Sequence, residues 1–241
     1  MDNPKILIGT PTYSGKFYCL SEWVENIKKI NYPNFDVLLV DNSKDDEYKK
    51  RIESLGINCV KSPHYEGNPV KSLCEARKVF FDKALEGGYD YAFSIEQDLF
   101  PPADIIQKLL KSDKKIIGTT YLVGQLMDEK IRRKKDWLTS FADLEKEIIL
   151  PDGNKAMYWM TLSEIKNRGV FRVKSCAFGC TLIARDVLEK IKPRVIEGLR
   201  RFDDYYFFED CFKEGIEVYG DSDILVDHYP SLGGGSGWIT L

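Results

Sequence analysis

The sequence predicts an α/β fold, a mainly parallel central sheet flanked by helices, with a smaller part built from the second half of the chain. Three observations lead there. Short apolar runs at residues 5–9, 37–40, 57–60, 91–95 and 116–118 alternate with helical stretches, and that order implies parallel strands joined by right-handed crossovers. The runs are bounded by turn-forming or polar residues, as strands buried on both faces are. With 241 residues, 43% of them hydrophobic, the chain can bury a substantial core in one sizeable domain.

Residues 5–9, KILIG, form the first strand, followed by Thr10-Pro11-Thr12-Tyr13 and a helix from about 19 to 29. The stretch GTPTYSGKF invites a P-loop reading. That motif requires four residues between its glycines and Ser or Thr after the lysine. Here five residues separate Gly9 from Gly15 and Phe17 follows Lys16, so the P-loop is rejected. The dinucleotide fingerprint GxGxxG is absent too. The second strand, 37–40, ends in Asp41-Asn42-Ser43 before a charged helix at 45–55. An acid there can accept hydrogen bonds from a base or ribose, although in isolation helix capping is the commoner role. A short third strand at 57–60 leads through the turn-rich HYEGNP to a helix at 70–85 that carries Arg77.

The strand at 91–95 is the most informative element. It stops at Glu96-Gln97-Asp98, and Pro101-Pro102 then opens a helix at 103–111. Two carboxylates thus stand at the C-terminal end of a buried strand, where open α/β sheets bind ligands. Residues two apart on an extended segment point the same way, and paired oxygen ligands suit Mg²⁺ or Mn²⁺ together with a substrate's phosphates. The plain alternative is an exposed acidic turn that caps the next helix.

From about 124 to 168 the alternation stops. The basic run KIRRKK at 130–135, near Trp137 and Phe141, reads as a solvated helix face; the functional alternative is a flap over phosphates or a contact with anionic lipid heads. A strand at 170–173 opens a second block. SCAFGCTLIAR, at 175–185, is small and apolar around Gly179 and runs into a helix at 186–191. FDDYYFFED, at 202–210, packs four carboxylates among aromatics before a short helix at 211–214. Glu209-Asp210 beside aromatics is a place for a general base, because apolar burial raises a carboxylate's pKa toward neutrality. Late strands at 216–219 and 224–226 precede Asp227-His228-Tyr229-Pro230, and a lone His228 after a strand is either structural or a metal ligand. The expected organisation is one continuous domain with halves at 1–124 and 125–241, a flexible segment at about 125–168 and a flexible tail at 231–241.

Composition narrows the function. A formal net charge of −3 gives no global field for nucleic acid. No apolar run approaches the ~20 residues of a membrane span, and the N-terminus lacks the plan of a secretory signal. A cytoplasmic protein is expected, with any membrane contact peripheral. Six scattered cysteines without a CxxC pair and only two histidines argue against zinc.

Taken in order, a strand ending near TPTY, a strand ending DNS, a glycine followed at a fixed distance by a helical arginine, and an acidic strand end before proline resemble the family 2 glycosyltransferases of the GT-A fold. FGCTLIAR, FFEDC and VDHYP follow in the expected order, so the resemblance spans most of residues 4–230 and is weakest over 124–168. It implies a UDP- or GDP-sugar donor held with a divalent cation, Mn²⁺ or Mg²⁺, and an acceptor hydroxyl on a glycan, lipid or protein. By that resemblance Thr10, Pro11 and Tyr13 line the nucleotide pocket and Asp41 bonds the base. Arg77 lies near base or diphosphate, Glu96 near the ribose, and Asp98 on the metal with His228 completing its site. Gly179 borders the donor sugar, and Asp210 within the Glu209-Asp210 pair deprotonates the acceptor. Glu96 is longer than the family's usual aspartate, and no Gln-x-x-Arg-Trp motif of processive synthases is present. The expectation is therefore transfer of a single sugar with inversion. A retaining transferase on the same fold and a non-catalytic nucleotide-sugar-binding module are the competing readings.

Overall fold

The structure is a computed structural model that describes residues 3–125, 136–149, 153, 155–199, 201–229, 231–232 and 235–236. The basic run at 130–135 and most of the glycine-rich tail lie outside the described residues.

The first half alternates as expected. Strand β1 (Ile6–Thr12) is followed by a 3₁₀ turn (Ser14–Cys19) and helix α1 (Leu20–Ile27), then β2 (Phe35–Asp41), α2 (Glu47–Ser54), β3 (Asn58–Lys61), α3 (Pro69–Glu86), β4 (Tyr91–Ile95), the short β5 (Leu99–Phe100), α4 (Ile105–Lys111) and β6 (Ile116–Thr120). A meander of β7 (Leu122–Gln125), β8 (Trp137–Ile149) and β9 (Lys155–Thr161) follows. The chain continues through α5 (Leu162–Ile165), β10 (Val170–Val173), β11 (Cys180–Ala184), α6 (Arg185–Lys190), α7 (Asp203–Lys213), β12 (Val218–Leu225) and β13 (Asp227–His228), and on to the small hairpin β14 (Ser231–Leu232) and β15 (Gly235–Ser236). No helix among the described residues is long and apolar enough to cross a membrane.

Both halves of the chain build one eight-stranded sheet in the order β10-β12-β6-β11-β4-β1-β2-β3. The pairs β3–β2, β2–β1, β1–β4 and β6–β12 are parallel, whereas β11 and β10 run against their neighbours. Strand alternation sorts the apolar residues onto two faces. Ile6 and Ile8 meet Trp23 and Ile27 of α1, Ile52 of α2 and Ile105 and Leu109 of α4. Leu7, Leu38 and Ala92 meet Phe80 and Phe81 of α3, Val187 of α6 and Phe207 and Phe208 of α7. Each phenylalanine removed so fully from water contributes roughly 1.5–3 kcal/mol of transfer free energy.

Local sequence explains the elements that position the site. Helix α3 starts where Pro69 presets the first helical turn and Asn68 Oδ1 accepts from the Lys71 amide at 3.0 Å. Strand β1 runs past the expected end at residue 9 and through Pro11, so Thr10 and Thr12 lie on it. The largest revision concerns residues 202–210. The short helix expected at 211–214 begins at Asp203 instead. Its inward residues, Asp203, Tyr206, Phe207, Phe208 and Cys211, cover one broad helical face at three- and four-residue spacing. The segment expected to be flexible over 125–168 contains, where described, the β8–β9 hairpin and α5, whose Thr161–Glu164 capping box is complete.

Candidate active site

The parallel strands β2, β1 and β4 end side by side, which carries Asp41-Asn42-Ser43, Thr12-Tyr13 and Glu96-Gln97-Asp98 to one edge of the sheet. Antiparallel β11 begins at that edge, and the Glu96 amide donates to the Gly179 carbonyl at 2.8 Å. A Cβ at Gly179 would come within 2.2 Å of the Tyr121 hydroxyl and 2.9 Å of Leu99 Cδ1. Only a residue without a side chain lets these three segments close together.

The middle of the acidic turn points away from its flanks. Gln97 Oε1 accepts from the Thr12 hydroxyl and, at 3.0 Å, from the Tyr48 hydroxyl. That buried anchor holds the turn while Asp98 faces a different set of partners. Strand β13 pairs antiparallel with β5, placing His228 opposite Leu99, and the Tyr229 amide donates to the Asp98 carbonyl at 2.7 Å. His228 Nε2 then lies 3.6 Å from Asp98 Oδ2, while Nδ1 bonds the Leu122 carbonyl at 2.5 Å. The Tyr121 ring packs edge-on against the imidazole at 5.8 Å.

The Lys16 ammonium also donates to Asp98 Oδ2, and the Tyr18 hydroxyl does so at 3.3 Å. Burial pushes the Asp98 carboxyl up, but the His228 hydrogen bond and the Lys16 ammonium outweigh it and hold its pKa at about 2. Burial lowers the Lys16 pKa, and Asp98 and Glu96 more than reverse that. Asp98 Oδ1, buried, has no hydrogen-bond partner among the described residues.

These atoms fit the divalent cation that the fold implies. With Nδ1 donating to the Leu122 carbonyl, His228 turns its protonated Nε2 toward Asp98, whose other oxygen is unpartnered, and a bound cation would take the place of that Nε2 proton. A carboxylate and an imidazole leave coordination positions for phosphate oxygens and water. Among the described residues no group of three or more His, Cys, Asp or Glu side chains could hold a metal ion; Asp98 and His228 are a pair of candidate ligands at 3.6 Å.

The remaining expected residues divide into two groups. Thr10, Pro11 and Asp41 are buried at the strand ends beside this crevice, and Tyr13 is half exposed at its rim. Asp41 Oδ1 accepts from the Ser43 amide at 2.8 Å, and Oδ2 from Lys61 at 3.1 Å. Lys61 and Ser43, the latter accepting from the Ser14 amide at 2.8 Å, were not legible as site residues. Their partners come from strands distant in sequence.

Arg77 and Asp210 are placed differently from expectation. Arg77 is 1% exposed; its Nη1 donates to Ser94 at 2.8 Å and its Nε to Asp203 at 3.3 Å. The guanidinium also lies 4.5 Å over the Phe178 ring. It thus ties α3 and β4 to the first turn of α7 instead of lining an open pocket. Asp210 lies about two turns along α7 and is held bidentately by Arg194, at 2.6 and 2.8 Å. That guanidinium lowers the Asp210 pKa below the ordinary carboxylate value, which makes it a weak base. Glu209 lies beside it, with the Lys213 ammonium at 3.4 Å.

The first turn of α7 holds the other acidic pair, Asp203-Asp204. Burial and the neighbouring Asp203 raise the Asp204 carboxyl to about 7, and Glu96 adds to the shift. Burial pushes up the Tyr121 hydroxyl, and the Glu96 and Asp204 charges add to that, so the Asp204 carboxyl lies in the neighbourhood of Glu96 and Tyr121. Sequence reasoning named Glu209-Asp210 for its aromatic neighbours and its match to the family's acidic pair, with a helix placed after it at 211–214. The inward spacing of Asp203, Tyr206, Phe207 and Cys211 was the signal that moves the start back.

No family model matches the chain, and no curated protein matches its sequence. Solved structures do resemble it. S. aureus TarS superposes with a TM-score of 0.55 at 13% identity over 92% of this chain and 36% of TarS. Residues 1–349 of S. aureus TarS in complex with UDP-GlcNAc give 0.55 at 14% identity, covering 92% of this chain and 57% of that one. A mycobacterial protein gives 0.53 at 11% identity over 96% and 69%. This chain therefore spans roughly a third of TarS, or under three fifths of its 1–349 portion. It has a GT-A-like fold.

Proposed function

We propose that this chain transfers one sugar from a nucleoside-diphosphate sugar to an acceptor hydroxyl, with inversion, using Asp204 as the general base. The observation that carries the reading is a pair of unlike carboxylates, Asp98 and Asp204, in the neighbourhood of Glu96 and Tyr121. Asp98, with its pKa held at about 2, stays ionised beside His228 and Lys16, while Asp204 is raised to about 7. Carboxylates pushed apart in this way take opposite roles in catalysis.

In this reading the 1–124 half supplies the nucleotide edge. Thr10, Pro11 and Tyr13 border the base, Asp41 accepts a hydrogen bond from it, and Glu96 meets the ribose. The 125–241 half supplies the sugar and acceptor side, with Gly179 against the sugar. Asp98 and His228 would hold a divalent cation, Mn²⁺ or Mg²⁺, which when bound supplies Lewis-acid stabilisation of the departing diphosphate. Asp204 takes the proton of the acceptor hydroxyl as its oxygen bonds to the anomeric carbon and the carbon–phosphate-oxygen bond breaks. The reacting sugar passes through an oxocarbenium-like state, as in glycoside hydrolysis, and attack opposite the leaving group inverts the centre. Arg77 positions Asp203 and the first turn of α7. A cleft of about 750 Å³ lined by Lys71, Arg194, Leu199 and Phe202 opens beside that turn and suits the acceptor.

TarS is a protein crystallised with UDP and with UDP-GlcNAc, which makes UDP the first nucleotide to test. Calorimetric titration of UDP and GDP, with and without Mn²⁺, should give metal-dependent binding of one nucleotide that Asp98→Asn loses. Equal binding by the Asp98 variant would remove that residue from the site, and a retained anomeric configuration in the product would remove the inverting step.

A further inference from the structure

Lys16 has no part in the reaction as just set out, yet its ammonium occupies the most charged point of the crevice. We propose that Lys16 is a tethered cation: it holds the Asp98 carboxylate when no divalent ion is bound and turns to the nucleotide's phosphates when one is. The proposal rests on the glycosyltransferase reading and adds a residue to it.

The geometry creates a competition. Lys16 donates to Asp98 Oδ2, the same oxygen that His228 Nε2 faces at 3.6 Å. An ion held between Asp98 and His228 shares the carboxylate with the ammonium whether it takes Oδ2 or the unpartnered Oδ1, and two cations on one carboxylate repel. The ammonium has the means to leave. It sits at the end of a four-carbon stem, its side chain is 23% exposed, and its backbone belongs to the 3₁₀ turn directly after β1.

The direction it turns follows from the order of the site. With the base at Thr10, Tyr13 and Asp41 and the sugar at Gly179, the diphosphate must cross the space over Asp98. That space is within the sweep of a lysine anchored three residues beyond Tyr13. A divalent ion arriving alone therefore breaks the Lys16–Asp98 ion pair and leaves the ammonium with only the weaker pull of Glu96. An ion arriving with the nucleotide releases the ammonium onto phosphate. Lys16 thereby makes ion and nucleotide binding mutually supportive, a coupling that is reciprocal by linkage.

The test is titration of Mn²⁺ into the full-length wild type, Lys16→Met and Lys16→Arg, each with and without UDP, with melting curves to verify the fold. In the absence of nucleotide, Lys16→Met should bind Mn²⁺ roughly fivefold tighter than wild type, the effect of removing a competing ion pair of ordinary strength. With UDP present that advantage should disappear, and Lys16→Arg should follow wild type. Unchanged or weaker Mn²⁺ binding by Lys16→Met without nucleotide overturns the proposal while leaving the transferase reading intact. Absence of Mn²⁺ binding in every variant, with UDP or without, overturns the cation site and this proposal with it.

Discussion

Replacing Asp204 by Asn separates the chemical role of α7 from its structural one. A general base contributes about 10²- to 10⁴-fold to rate, so kcat should fall by that factor with little change in KM for the donor. Stability should move the opposite way. The Asp204 carboxyl, with a reference value of 3.8, stands at about 7 in the fold because burial and Asp203 disfavour its ionised form. A carboxyl raised on folding binds more protons in the native state between those values, so native stability declines as pH rises through that interval and levels off above it. The full shift has a ceiling of ~4 kcal/mol, and relaxation and solvent access reduce it to roughly 1–2 kcal/mol. Asn carries no charge, so the variant should melt above wild type by about 3–6 °C near pH 8 for a chain of this size, with the gap closing toward pH 4. The assay is calorimetric melting across that range together with kcat on both proteins. Asp210→Asn is the control: it removes an acceptor of the Arg194 pair and should leave most of the activity. Wild-type turnover in the Asp204 variant, or a kcat loss in Asp210→Asn as large as that predicted for Asp204→Asn, would refute the assignment of the base.

Other substitutions probe the scaffold beneath the crevice. Arg77→Met strips a buried acid, Asp203, of its cation and should cost about 3–5 kcal/mol in urea unfolding; adding Asp203→Asn should recover most of it, and a loss below about 1 kcal/mol would deny the pair its structural role. Gly179→Ala drives a methyl to 2.2 Å from the Tyr121 hydroxyl, an overpacking worth about 1–3 kcal/mol. Tyr121→Leu in the same chain should relieve part of that loss in calorimetric melting, and no relief would mean the close approach is not what fixes the glycine. Donor affinity should fall with Gly179→Ala as well, measured by UDP-sugar titration, because the Glu96 amide is bonded to the Gly179 carbonyl.

Residue pattern by itself determined the α/β alternation, because strands buried on both faces must be continuous apolar runs and their crossovers must be helices. It also placed Asp98 at a strand end beside the two prolines, since proline stops a strand and opens a helix. His228 was visible only as a residue after a late strand; the β5–β13 pairing, between segments more than a hundred residues apart, brings it to Asp98. Tertiary structure alone decided the surroundings of each acidic pair in FDDYYFFED: Arg77 meets Asp203 and Arg194 meets Asp210. Both pairs carry the same charge among aromatics, and the choice depends on where the helix starts. That start is set by Phe207, Phe208 and Cys211 packing beneath α3 and by Arg77 reaching Asp203 from 126 residues away in sequence. The same packing puts Asp204 at the helix entry, where it accepts from the Tyr205 amide at 2.7 Å, and gives Asp210 to Arg194. A short-range reading of charge and aromatic content holds no information about such partners, because the energy that selects them is burial and pairing across the fold.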